Sequence, residues 1–237
     1  MSVTLTHSSD VHLNTDLHDD YLQLRRVLAG AAEAKADLLM LAGDTFEHVR
    51  FPVSFFRDAG RLLGEASHRV VILPGNHDPL FEASEDRWRA MAEPDNVHVL
   101  GLDGDEPVRY PDLELEIWGW AHRSYGGMDP LRQPPPRGAK WQIAMAHGHF
   151  TDKRYSPGEP SPSWLIFAED IDALSSDYLA LGHWNCAVQV GTGTIPAHYS
   201  GSPDLEHTIN VITLADEGIQ VTRHPLHVPS PAAAGEG

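Results

Sequence analysis

Residues 38–41 read Leu-Leu-Met-Leu, a continuously apolar run that ends in Ala42-Gly43-Asp44. A strand with no alternation is buried on both faces, as in a sheet covered on both sides. Two further strand-like runs flank it, an alternating one at residues 3–7 and a second apolar one at residues 69–73. Between them, residues 20–34 place Leu24, Val27, Leu28 and Ala31 at helical spacing, with Asp19 or Asp20 as cap. Residues 52–66 read as another covering helix, with Phe55, Phe56, Leu62 and Leu63 as its core face. This strand–helix alternation predicts a parallel sheet, whose strand ends share one edge.

Each of those edges carries polar chemistry. The first strand leads into Ser8-Ser9-Asp10-Val11-His12, where Asp10 and His12 would point the same way in an extended segment. The second ends in Gly43-Asp44-Thr45-Phe46-Glu47-His48. The third stops at Pro74-Gly75 and presents Asn76, His77 and Asp78 in succession. Farther along, the apolar run 141–146 ends in His147-Gly148-His149, and 177–181 ends in Gly182-His183-Trp184-Asn185.

The rest of the chain is plainer. Residues 84–91 predict a short helix, 97–100 a strand, and 108–110 with 113–118 a hairpin around Pro111-Asp112. Trp118 and Trp120 read as core or site-rim aromatics. Residues 128–140 hold four prolines and no apolar periodicity, hence a surface loop. Residues 155–163 form a Ser/Pro/Gly loop long enough to fold over a site, and 164–174 a helix capped by Ser163. The short strands 187–190, 195–199, 208–214 and 219–223 predict a mostly antiparallel second sheet. One domain over residues 1–228 and a disordered tail at 229–237 are expected.

Composition narrows the partners. The 34 acidic side chains outnumber 17 basic ones, for a formal net charge of -17. That opposes binding of long nucleic acid or anionic membrane, and bound cations would offset part of it. Fifteen scattered histidines supply the commonest metal-ligating side chain. The single Cys186 excludes an internal disulfide and suits a reducing, cytoplasmic compartment. No apolar run approaches the ~20 residues needed to cross a membrane. The oligomeric state is left open.

The strand-end residues Asp10, His12, Asp44, Asn76, His77, His147 and His183 exceed what one ion needs. Oxygen and nitrogen donors without thiolate favour manganese, iron or zinc. Asp44, from the middle of the set, is placed to bridge two ions. Two cations roughly 3.5–4 Å apart can clamp a phosphoryl group and convert a bridging water to hydroxide.

The motifs D-x-H, G-D-x-x-E, G-N-H-D, a lone His and G-H-x-N, in this order over residues 10–185, resemble the calcineurin-like metallophosphoesterase superfamily. The resemblance implies an α/β fold, a four-layer α-β-β-α sandwich of two packed mixed sheets flanked by helices. It implies one metal on Asp10, His12 and Asp44, and another on Asp44, Asn76, His147 and His183. Manganese is the first expectation for both ions, with iron or zinc as alternatives. His77 would be the catalytic histidine that stabilises or protonates the leaving oxygen, with Asp78 orienting it. Where the family usually reads G-H-x-H, this chain has Asn185 at the position of a ligand to the first metal. The implied activity is hydrolysis of a phosphodiester or small phosphomonoester, including nucleotides, by a metal-bridging hydroxide. Ser9-Asp10-Val11-His12-Leu13, Gly119, Tyr178-Leu179-Ala180-Leu181-Gly182-His183 and Tyr199-Ser200-Gly201-Ser202-Pro203 further resemble the SbcD-like DNA repair exonuclease branch. A nuclease, or a catalytically impaired metal-binding interaction module, is the alternative.

Overall fold

The computed structural model describes residues 2–15, 19–156, 159 and 163–227. The predicted tail lies outside these residues. The core is two six-stranded mixed sheets. The first has β1 (Val3–Ser8), β2 (Leu38–Ala42), β3 (Arg69–Leu73) and β4 (Val97–Val99) side by side and parallel. The second is built on β5 (Val108–Tyr110), β6 (Leu115–Gly119), β7 (Trp141–His147) and β10 (Tyr178–Gly182), of which β6, β7 and β10 are parallel. A separate two-residue pair, β8 (His149–Phe150) with β9 (Leu165–Ile166), lies beyond the end of β7.

The C-terminal strands do not make a sheet of their own, contrary to the sequence expectation. They are shared between the two sheets. β11 (Val188–Val190) and β12 (Ala197–Tyr199) extend the second sheet beyond β10, and β12 runs parallel to it. β13 (Thr208–Ala215) crosses back to pair antiparallel with β1, and β14 (Gly218–Pro225) closes that edge. Alternation in a strand says which face is buried. It does not say which neighbour supplies the hydrogen bonds.

Helices α1 (Leu22–Glu33) and α2 (Val53–Gly64) bury Leu24, Val27, Ala31, Phe55, Phe56 and Leu63 as read from the sequence, while Leu28 and Leu62 are only partly buried. Phe46, just after β2, stacks on Phe56 of α2 at 3.8 Å and meets Trp88 of α3 (Glu85–Met91) edge-on. The layer outside the second sheet is thinner than expected. The predicted helix 164–174 reduces to α4 (Ala168–Asp172), because Leu165 and Ile166 pair with His149 and Phe150 and Phe167 stays extended. Loops supply the remaining cover, with Leu131 and Ile166 in the apolar cluster beside Trp118 and Tyr199. A last short helix, α5 (Pro203–Glu206), follows β12. Among the described residues no helix is long and apolar enough to cross a membrane.

The sheets approach each other closely at the edge where their strand ends meet. A Cβ on Gly182 would collide with the Ala42 carbonyl oxygen and stand 2.7 Å from His147 Nδ1. Backbone cannot yield there without parting β10 from β2. Gly182→Ala should therefore cost ~1–3 kcal/mol as overpacking. At roughly 2–4 °C per kcal/mol for a chain this size, thermal unfolding should shift down by several degrees. An unchanged midpoint would show that the sheets can separate freely.

His7 joins the sheets from within. It is fully buried, and its Nδ1 receives the Tyr178 hydroxyl at 3.0 Å and the Asn210 amide at 3.3 Å. Burial first, then the neighbouring His198, lowers its pKa from 6.5 to about 3. Between those values the unfolded chain binds a proton that the folded chain refuses. This contribution to stability is thus complete above pH 6.5 and is lost as pH falls toward about 3. Denaturant midpoints at about pH 7.5 and about pH 5 should differ, and His7→Gln should shrink the difference. An undiminished difference would place the sensitivity elsewhere.

Candidate metal centre and the adjoining cleft

The loops after β1 and β2 run side by side. Asp10, His12 and Leu13 donate backbone hydrogen bonds to the carbonyls of Gly43, Asp44 and Thr45 at 2.9–3.0 Å. Asp10, His12 and Asp44 all have φ near +50°, and His183 has +104°. The shared direction of Asp10 and His12 therefore comes from two left-handed residues, not from the extended segment expected. Such backbone is costly for non-glycine residues and clusters at functional sites.

The side chains converge on Asp44. His12 Nε2 lies 4.0 Å from an oxygen of Asp10 and 4.0 Å from Asp44 Oδ2. On the other side, His147 Nε2 lies 3.1 Å from the same Asp44 oxygen and 2.9 Å from Asn76 Oδ1. Asn76 Oδ1 also lies 3.1 Å from His183 Nδ1. Five strand ends, three in one sheet and two in the other, thus meet in one place. Asp10, His12 and Asp44 form a group whose ligand atoms all lie within 4.8 Å of one another.

Tautomers test the fit to a cation. His147 Nδ1 must donate to the Ala42 carbonyl at 2.9 Å, and His12 Nδ1 to Glu47 Oε2 at 2.9 Å. Each neutral ring then turns an Nε2 lone pair toward carboxylate and amide oxygens. Acceptors facing acceptors need a shared proton or a metal ion between them, and carboxylate- or carbonyl-held imidazoles are the usual metal ligands. The electrostatics agree. Burial opposes charge on His147, yet Asp44 and Asp10 outweigh it and raise its pKa to about 9. Burial likewise opposes ionisation of Asp44, but His147 outweighs it and holds the carboxyl well below its usual range. Asp10, fully buried, is pushed up by burial first, with Asp44 adding to the shift.

His77 stands at the rim. Its backbone N–H donates to Asp44 Oδ1 at 2.9 Å, and its ring sits edge-on to His12 at 4.9 Å. Its Nδ1 donates to the Glu47 carbonyl at 3.1 Å and lies 3.5 Å from the Glu47 carboxylate. Asp78 does not orient it, contrary to expectation. Both Asp78 oxygens are taken by backbone, Gly75 N–H at 2.6 Å and Phe46 N–H at 3.0 Å. Asp78 is a fully buried clamp between two turns, with its pKa raised to about 7 by burial and by Asp44.

The other expected residues are less central. Asn185 is exposed, and its backbone carbonyl accepts from Ser202. It shares with His12 the wall of a cavity of about 470 Å³. His149 accepts from Trp184 Nε1 at 3.2 Å and flanks His183. His198 stacks on Tyr178, in the middle of β12, away from the strand ends.

Two residues were given no role by the sequence, although Glu47 closes its G-D-x-x-E motif. Glu47 touches both His12 and His77. His122 is completely buried, donates from Nε2 to the His147 carbonyl at 2.8 Å, and is held near pKa 4, mainly by burial. The available signal for His122 was its place three residues after β6, on the same sheet edge as His147 and His183.

A second cleft, of about 560 Å³, opens beside His77 and Asn76, with Arg50, Tyr125 and Trp164 in its wall.

The comparisons agree with this architecture. The family model for calcineurin-like phosphoesterases matches residues 3–185. No curated protein matches the chain. One crystal structure aligns over 96% of this chain and 100% of its own, at 14% identity and TM-score 0.61. Another, described as a "Putative 5′-Nucleotidase from Staphylococcus aureus in complex with alpha-ketoglutarate", aligns over 100% of this chain at 14% identity and TM-score 0.59. This chain spans 56% of that structure's length. Those two likenesses concern the fold; the family match runs from β1 through every strand end of the metal centre, and the chain belongs to the calcineurin-like phosphoesterases, a family of metal-dependent phosphoric ester hydrolases.

Proposed function

We propose that the chain hydrolyses a phosphodiester or a small phosphomonoester with two divalent ions. Asp10, His12 and Asp44 would hold one ion, and Asp44, Asn76, His147 and His183 the other. The observation that carries this is the single Asp44 carboxylate standing between two sets of imidazole lone pairs. When bound, such ions neutralise the phosphoryl oxygens and activate a water. Water adds to phosphorus, the bond to the departing oxygen breaks, and that oxygen leaves with a proton. His77, on the cleft wall, is the side chain that would stabilise or protonate it. Glu47 fixes the rotation of both His77 and His12. The acidic balance, 34 against 17, favours a small substrate over a long nucleic-acid tract. The test is turnover of a generic aryl phosphodiester and its monoester after chelation and re-addition of manganese, zinc or iron. Absence of metal-dependent turnover on both would refute the reading.

Asn185 supports a further expectation within it. An exposed amide is a weaker donor to a borderline metal than imidazole. The first ion should therefore dissociate more readily on dialysis. Asn185→His should tighten it by roughly tenfold, the equivalent of about 1.4 kcal/mol. Titration resolving two sites checks this. Equal affinities, unchanged by the substitution, would show that another group completes that site.

A further inference from the structure

The cleft beside His77 has a composition the metal centre does not require. Trp164 lies in its wall with φ of +57°, a conformation costly for a bulky residue. Its Nε1 is anchored on the Gly126 carbonyl at 2.8 Å, and its ring rests against His122 at 5.2 Å and His183 at 5.9 Å. Tyr125, one residue before that anchor, is 58% exposed, an unusual placement for so large a ring. Two aromatic rings lining one cleft favour a planar group. Arg50 is the cation of this wall, exposed and without an acidic partner among the described residues. Most arginines of this chain are ion-paired, Arg57, Arg69, Arg89 and Arg137 among them. Arg26, Arg87 and Arg132 also lack an acidic partner among the described residues, but they are held by backbone carbonyls or by the Trp120 ring. An unpaired guanidinium suits a phosphate, which it can meet with two parallel hydrogen bonds.

We propose that this cleft receives the departing half of the substrate and that this half is a nucleotide, its base against Trp164 and Tyr125 and its own phosphate on Arg50. The proposal rests on the phosphoesterase reading, in which His77 faces the departing oxygen. It narrows the substrate to a diester whose leaving group carries both a base and a second phosphate.

Two matched substrates decide it in the manganese-loaded enzyme. One is a dinucleotide diester bearing a phosphate on the departing nucleotide; the other is identical but abasic at the departing sugar. The reacting bond is the same, so kcat/KM should favour the base-bearing diester by about tenfold or more, the scale of base–aromatic stacking. Tyr125→Ala and Trp164→Ala should bring the ratio toward one. Arg50→Gln should remove the advantage of the base-bearing diester over its counterpart lacking the extra phosphate. Should Trp164→Ala fail to fold, Tyr125→Ala, a change at an exposed ring, still gives the answer. Equal wild-type efficiency on the matched pair would overturn the subsite and leave the phosphoesterase reading standing. A preference that survives the aromatic substitutions would also overturn it. No turnover of either dinucleotide diester by an enzyme that turns over an aryl phosphoester would overturn the subsite alone; loss of the aryl activity as well would overturn the phosphoesterase reading with it.

Discussion

Replacing Asp44 by Asn should leave a folded protein that retains neither ion and turns over no substrate. Asp44 is 2% exposed, and Oδ1 accepts the His77 backbone N–H at 2.9 Å. Asparagine keeps an oxygen for that bond, so the turn after β3 should survive. What it loses is the negative charge between His12 and His147, at 4.0 and 3.1 Å from Oδ2. Charge stabilisation by metal ions in such sites is worth several kcal/mol. At ~1.36 kcal/mol per decade, turnover should fall by about 10³-fold or more. Elemental analysis, a thermal melt and an assay on the same sample check this. A variant that keeps two equivalents of metal would remove Asp44 from its bridging place, whatever the rate.

His77→Ala should separate chemistry from metal binding. The side chain is 42% exposed, so little packing is lost. His77 lies outside the set around Asp44, but its ring shares with His12 and Glu47 a second group whose ligand atoms lie within 4.8 Å of one another, so metal content is the readout that separates the two roles. A positioned acid or oxyanion stabiliser typically contributes ~10²–10⁴-fold. Turnover should fall by that factor with metal content and melting temperature unchanged. The loss should be smaller on an aryl ester, whose departing oxygen needs less help from a proton. Metal loss would make His77 a ligand, and a near-normal rate would leave it without a role in the reaction.

The contrast between His77 and Asp78 shows how far a motif reaches. Asn76-His77-Asp78 follows β3, and its position beside the metal centre was readable from the strand before it. Which neighbour each side chain would meet was not. Asp78 points back into the protein, to the backbone of Gly75 and Phe46, and Glu47 takes the place beside His77. Gly75 permits this close approach, since a Cβ there would run into the Asp44 carboxylate.

The helix predicted at residues 164–174 failed for a related reason. Its apolar residues are real core residues, Ile166, Ile171 and Leu174 among them. Their spacing fits a helix, but Leu165 and Ile166 gain backbone partners in β8, and the chain turns helical only from Ala168. Tertiary hydrogen bonds outweigh propensity in so short a segment.

By itself the sequence determined that βαβ units would set Asp10, Asp44 and Asn76 on one parallel edge, and that His147 and His183 would end two more strands. Apolar runs that tolerate no polar residue define buried strands, and the handedness of their crossovers leaves little freedom in how the ends align. Only the tertiary structure decided that the two edges face each other, that β13 returns to β1, and that Glu47 and His122 join the site. Those contacts join residues far apart in the chain, Ser9 with Ser200 and Asp10 with His183 among them, and they depend on packing two sheets to within a glycine's width. Local pattern fixes what each strand end carries; the distance between the sheets, set by the whole core, fixes what those ends can do together.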